Sequence, residues 1–62
     1  MKNLTAKQKA EATYAKDGKK AIYECEEAII DLSKYPSFNY FQIVFLLRVL
    51  KYLQRIDKNP KF

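Results

Sequence analysis

Histidine and tryptophan are absent from this 62-residue chain, cysteine, glycine and methionine occur once each, and proline occurs twice. A single cysteine, Cys25, cannot close an intrachain disulfide, and without histidine the common zinc and haem ligand sets are missing. One glycine is too few for a loop whose backbone cradles phosphates, so no self-contained nucleotide site is expected. So little glycine and proline, with no sustained apolar–polar alternation, argues against strands joined by turns. No nucleophile–base pair or metal cluster can be assembled. The chain is read as a non-enzyme with no cofactor and no metal.

Long hydrophobic runs are missing too. The most apolar stretch, Phe38 to Leu47, is too short to span a bilayer, and Arg48 and Lys51 interrupt its extension. The first fifteen residues carry lysines but no apolar core of the kind a signal peptide needs. With a lone cysteine, which suits a reducing compartment, this predicts a cytoplasmic protein with no membrane contact.

A chain of this length makes one small domain, here residues 1–62 with loose ends at 1–4 and 59–62. Such a domain buries only about 60 % of the surface its unfolded chain exposes. With disulfide and metal excluded, regular helix packing and self-association are left to stabilise it, and a homo-oligomer is expected.

What is present is charge, unevenly placed. Residues 1–20 carry six lysines against Glu11 and Asp17, a net of +4; residues 21–33 carry Glu24, Glu26, Glu27 and Asp31, a net of −4; residues 34–62 carry six cations against Asp57, a net of +5. An acidic middle between two basic ends favours attraction within or between chains as much as attraction to a polyanion.

The pattern predicts an all-α fold, a helical hairpin or three-helix bundle with helices at about 5–17, 21–33 and 38–58. Thr5 with Gln8 forms a capping-box pattern, and Ala6, Ala10 and Tyr14 make a thin apolar stripe. Asp17-Gly18 is either the break before a second helix or a weak point inside one long helix, and the break is the favoured reading because glycine costs about 1 kcal/mol inside a helix. Ile22, Cys25, Ile29 and Leu32 share one face of the second helix, with Glu24, Glu27 and Asp31 opposite. Pro36 biases Tyr35 away from helical geometry, and Ser37 is the expected N-cap of the third helix.

At about 100° per residue, Leu46, Val49, Leu50, Leu53 and Ile56 cluster on one side of that third helix, and Arg48, Lys51, Arg55 and Lys58 on the other. Towards its N-terminus the basic stripe continues as Tyr40, Val44 and Leu47. Burying each of these is worth about 1.5–3 kcal/mol, so a small fold is expected to cover them. Three coverings are open: the chain's own first helix, a second copy, or a different protein. Gln42 points into the principal apolar face, either fixing register as a buried amide or sitting partly exposed near the helix start.

Other candidates read as structural. The triplet Glu24, Glu27 and Asp31 is expected to be a solvated face, and Cys25 a packed thiol whose acidic neighbours raise its pKa. In an antiparallel hairpin Arg48 falls near the level of Glu24 and Glu27, so part of the basic stripe is expected to be satisfied internally.

The residues Glu27-Ala28-Ile29, the aromatic pair Phe38 and Tyr40, and Leu50-Lys51-Tyr52-Leu53-Gln54-Arg55 give the stretch from Ile22 to Asn59 a likeness to a known pattern. It resembles a small phage and prophage protein family of unknown function, whose module also ends a T-odd phage nucleotide kinase. The family's early His-Tyr is missing, and Leu47-Arg48 stands where Gly-Asn is usual, so no nucleotide role passes to those positions. The resemblance implies a phage origin and a bacterial cytosol, but no activity.

Together these readings predict a phage-type helical interaction protein that binds and modulates or inhibits a host protein through its third helix. Tyr40, Val44 and Leu47 are the expected apolar anchors, with Arg48, Lys51, Arg55 and Lys58 supplying charge. A small basic nucleic-acid-binding protein is the alternative, and an accessory module of nucleotide metabolism a further one.

Overall fold

A computed structural model of the chain describes residues 4–59. Three helices fill almost all of that span: α1 Ala6–Asp17, α2 Lys20–Leu32 and α3 Pro36–Lys58. No strand occurs among the described residues. The all-α three-helix expectation is met, while the loose ends predicted at 1–4 and 59–62 lie mostly outside the described residues.

Each boundary has a local cause. The Thr5 hydroxyl accepts from the Gln8 backbone N–H at 3.1 Å, and the Thr5 N–H donates to Gln8 Oε1 at 3.1 Å, so the capping box forms as the sequence predicts. At the other end of α1 the break falls at Gly18. Its φ of 64° is open to glycine, and its N–H donates to the Tyr14 carbonyl at 2.8 Å to close the helix. The chain therefore reverses there within two residues.

The start of α3 departs from expectation. Pro36 is the first helical residue and Tyr35 the flanking one, with φ −132° and ψ 71°, so Ser37 lies inside the first turn and does not cap the helix. Proline already lacks the N–H that a first-turn residue leaves unpaired, which makes it the better starter. Asn39 then interrupts the helix with φ −110° and ψ 16°, and its Nδ2 donates to the Leu32 carbonyl at 3.0 Å. That bond ties the end of α2 across the turn to the kink in α3.

Two sharp reversals leave α1 and α3 running the same way with α2 antiparallel to both. Their common core is small. Ala10, Ala21, Cys25, Val49 and Leu53 are buried, and Leu46, Leu50 and Ile56 pack around them with Ala6, Tyr14, Ile22 and Ile29. Alanine at the two most enclosed positions of α1 and α2 lets their backbones approach α3 closely, where larger side chains would overpack. Tyr14 closes one end by donating its phenol to Asp57 Oδ1 at 3.0 Å.

That closure exposes a mismatch. With 23 residues α3 is about 34 Å long, against about 18–20 Å for α1 and α2. Since Tyr14 pins α1 to the C-terminal end of α3, α1 stops short of the N-terminal third of α3, which is left beside the end of α2 among the described residues.

Truncating the most enclosed large side chain tests this core. Leu53 is 1 % exposed, and Leu53→Ala is expected to cost about 2–5 kcal/mol. A chain of this size has only about 3–9 kcal/mol in total, so urea titration followed by circular dichroism should show the cooperative transition lost or moved to very low denaturant.

Candidate interaction surface

The residues predicted to carry function all fall on the outer side of α3. Tyr40 is 61 % exposed and Leu47 50 %, Val44 is half-buried, and Arg48, Lys51, Arg55 and Lys58 are exposed. The first helix does not cover them. It packs instead against the side of α3 that carries Val49 and Leu53, roughly opposite. Nor is the basic stripe neutralised within the chain. Among the described residues the one ion pair is Lys19 with Asp57, 4.0 Å between Nζ and Oδ2, so Glu24 and Glu27 do not satisfy Arg48 as the hairpin register suggested.

Two shallow clefts follow the stripe. Arg48, Lys51, Tyr52 and Arg55 line one of about 370 Å³. Lys51, Arg55 and Lys58 line a second of about 510 Å³ with Ile22, Gln54 and Asp57. Three cations at i, i+3 and i+7 around one tyrosine make a surface suited to carboxylates or phosphates.

More apolar surface is open than the sequence indicated. Phe38 is 90 % exposed and Phe41 83 %, and the Tyr40 and Phe41 rings meet edge to face at 5.5 Å. Beside them α2 and α3 diverge into an open groove of about 640 Å³. Ala28, Asp31 and Leu32 form one wall, Phe41, Gln42, Phe45 and Leu46 the other. This is where a longer α1 would continue. Gln42 is exposed at the groove and is not a buried register-setting amide. A wheel drawn for one helix places Phe38 and Gln42 on the core side; among the described residues the short α1 leaves that side open there.

No family model, curated protein or solved structure matches this chain. The surface itself therefore carries the functional reading. No helix among the described residues is long and apolar enough to cross a membrane. No three His, Cys, Asp or Glu side chains among them are placed to hold a metal ion.

The titratable groups near the core act structurally. Cys25 is buried and donates its thiol to the Leu46 carbonyl at 3.3 Å; burial and the nearby Glu26 push its pKa up, away from a reactive thiolate. The hydrogen bond to Asp57, with smaller help from burial and from that carboxylate's charge, raises the Tyr14 phenol. Glu24 is raised by its hydrogen bond to Asp17, with desolvation and the charge of Asp17 adding to the shift. The two carboxyls face each other across the α1–α2 reversal.

A raised folded pKa means that the folded chain holds the Glu24 proton more tightly than the unfolded one. The stabilisation is complete below the ordinary value of 4.5 and is lost as pH rises through the raised value. Glu24→Gln should abolish this component. In thermal melts at about pH 4 and about pH 7, the variant should lose less stability on going to neutrality than the wild type does.

Proposed function

We propose that this chain is a small helical interaction protein that docks on another protein through the outward face of α3 and modulates or blocks it by covering a surface. The observation that carries this reading is one continuous stripe, Tyr40, Val44, Leu47, Arg48, Lys51 and Arg55, exposed except for the half-buried Val44, whose cations no carboxylate among the described residues pairs. Apolar anchors followed by cations suit a partner with an apolar patch rimmed by acidic groups. Covering a surface needs no catalytic group. A phage-type accessory factor acting on a host protein in the bacterial cytosol is the concrete form of the proposal, in keeping with the Lys51-Tyr52-Leu53-Gln54-Arg55 likeness.

Val44→Asp with Leu47→Asp tests the stripe. The pair should retain the helical circular-dichroism signal, because neither position is in the buried cluster. It should also lose every partner that the wild-type chain retains from a bacterial lysate. Collapse of the double variant's helical signal, where the wild type is shown to be monomeric, would make these residues intrachain core and end the reading.

A second reading is favoured by the Arg48, Lys51, Tyr52 and Arg55 cleft, whose unpaired cations suit a nucleic-acid backbone. It predicts binding to single- or double-stranded DNA or RNA that weakens steeply between low and moderate salt and is reduced by Arg55→Glu. No mobility shift with any of them at low salt would remove it.

A further inference from the structure

Resting on the docking reading above, we infer that a second copy of this chain occupies the α2–α3 face, about a two-fold axis running along the helices, so that α2 of each copy lies on α3 of the other.

The face is the side of the antiparallel α2–α3 pair turned away from α1. On α2, Ala28 and Asp31 turn towards the groove that continues α1, whereas Ile22 turns the other way, towards Lys51 and Gln54. At about 100° per residue, the surface runs round α2 from Ile22 through Glu26 and Ile30, each about 40° further on, to Tyr23. The same side of α3 presents Leu47, Tyr40 and Lys51. Ile22 is half-buried, and Glu26, Ile30, Tyr23, Leu47, Tyr40 and Lys51 are exposed. Tyr23, Ile30, Tyr40 and Leu47 are four of the eight large hydrophobic residues exposed among the described residues. Half of the exposed apolar side chains thus lie on one two-helix face.

Charge selects the way two such faces meet. Glu26 and Glu27 make the α2 edge acidic, and Lys51 and Lys58 make the α3 edge basic. None of these four has an ion-pair partner among the described residues. A two-fold axis across the helices would lay α2 on α2 and α3 on α3, with like charges opposed. An axis along the helices lays each acidic edge on the other copy's basic edge, and one patch on both copies is what closed two-fold symmetry requires.

The register agrees. The 3.3 Å bond from Cys25 Sγ to the Leu46 carbonyl, and the groove shared by Asp31, Leu32, Phe41 and Gln42, set Glu26 at about the height of Leu47 and Ile30 near Ile43. A two-fold axis along the helices leaves heights unchanged. Helical side chains lean towards their own N-terminus. Glu26 and Lys51 therefore lean towards each other's level across the interface, as do Ile30 and Leu47. Tyr40, Leu47 and Lys51 belong to both surfaces, so a second copy and a different protein compete for the stripe, while Phe41 and Arg48 lie round the far side of α3.

The test is mass against concentration with two charge reversals, each at an exposed position. The wild type should pass from 7.3 kDa to twice that mass between about 5 µM and about 500 µM. Glu26→Lys alone opposes two lysines at both symmetry-related contacts, and Lys51→Glu alone opposes two glutamates. Each should weaken the dimer about tenfold or more while keeping the helical signal. An equimolar mixture restores one acid and one base at both contacts and should regain wild-type dimerisation. A chain that stays at 7.3 kDa throughout, a dimer indifferent to both reversals, or a mixture that stays monomeric overturns the inference. The docking reading survives any of these if Val44→Asp with Leu47→Asp still loses its lysate partner, and falls with the dimer if that pair changes nothing.

Discussion

A 23-residue helix packed between two helices of 12 and 13 residues is the constraint on which the rest of this molecule depends. Only one stretch of α3 can be enclosed on both flanks, and the Tyr14–Asp57 hydrogen bond decides which by drawing α1 to the C-terminal end. The buried cluster of Ala10, Ala21, Cys25, Val49 and Leu53 forms there. Among the described residues, the first turns of α3 N-terminal to Phe45 are left beside α2. The groove beside Phe41 and the exposure of Phe38 follow from helix length before any question of function arises.

The same geometry keeps opposite charges apart. Acidic side chains on α2 and basic ones on α3 sit on helices in contact, yet they project along different directions, and among the described residues the one ion pair forms at Asp57. Asp57 is thereby taken up by Lys19 and Tyr14, leaving the basic stripe with no carboxylate of its own helix to offset it. Charges held in water on one chain contribute little to its stability. In the proposed association, complementary edges would set the rate and orientation of encounter.

Much of this is legible in the sequence because its causes are local. The capping box at Thr5 and Gln8, the break at Gly18 and the core stripe through Val49 and Leu53 each depend on residues within a few positions, and each forms. The outward direction of Tyr40, Val44 and Leu47 is legible for the same reason, since a helical period needs no neighbour to define it. What covers them is not. Phe38, Phe41 and Gln42 occupy core-like or neighbouring positions on the wheel, and their exposure depends on where α1 stops along α3, a non-local fact. The unsatisfied charge on Arg48 is of the same kind: matching Glu24 and Glu27 in height says nothing about the angle between the two helix faces. Ser37 was displaced as N-cap by a rule one residue away, the fitness of Pro36 for the first helical position.

The exposed apolar surface is a cost that the monomer bears in proportion to its size. Fully burying one large apolar side chain is worth about 1.5–3 kcal/mol, and a domain of this length holds only about 3–9 kcal/mol of net stability. Two or three such side chains left in water thus represent a free energy comparable to that of the whole fold. Sequence changes that shorten α3 or make Tyr40 and Leu47 polar would be small steps, and neither residue belongs to the buried cluster. Asn39 adds a further sign of organisation at this end: its bond to the Leu32 carbonyl fixes the turn at the kink, so the aromatic end of α3 is held in a defined direction instead of fraying. A surface that is apolar, oriented and uncovered in a fold with so little stability to spare is what the proposed contact would bury, and that burial would recover what the lone chain forgoes.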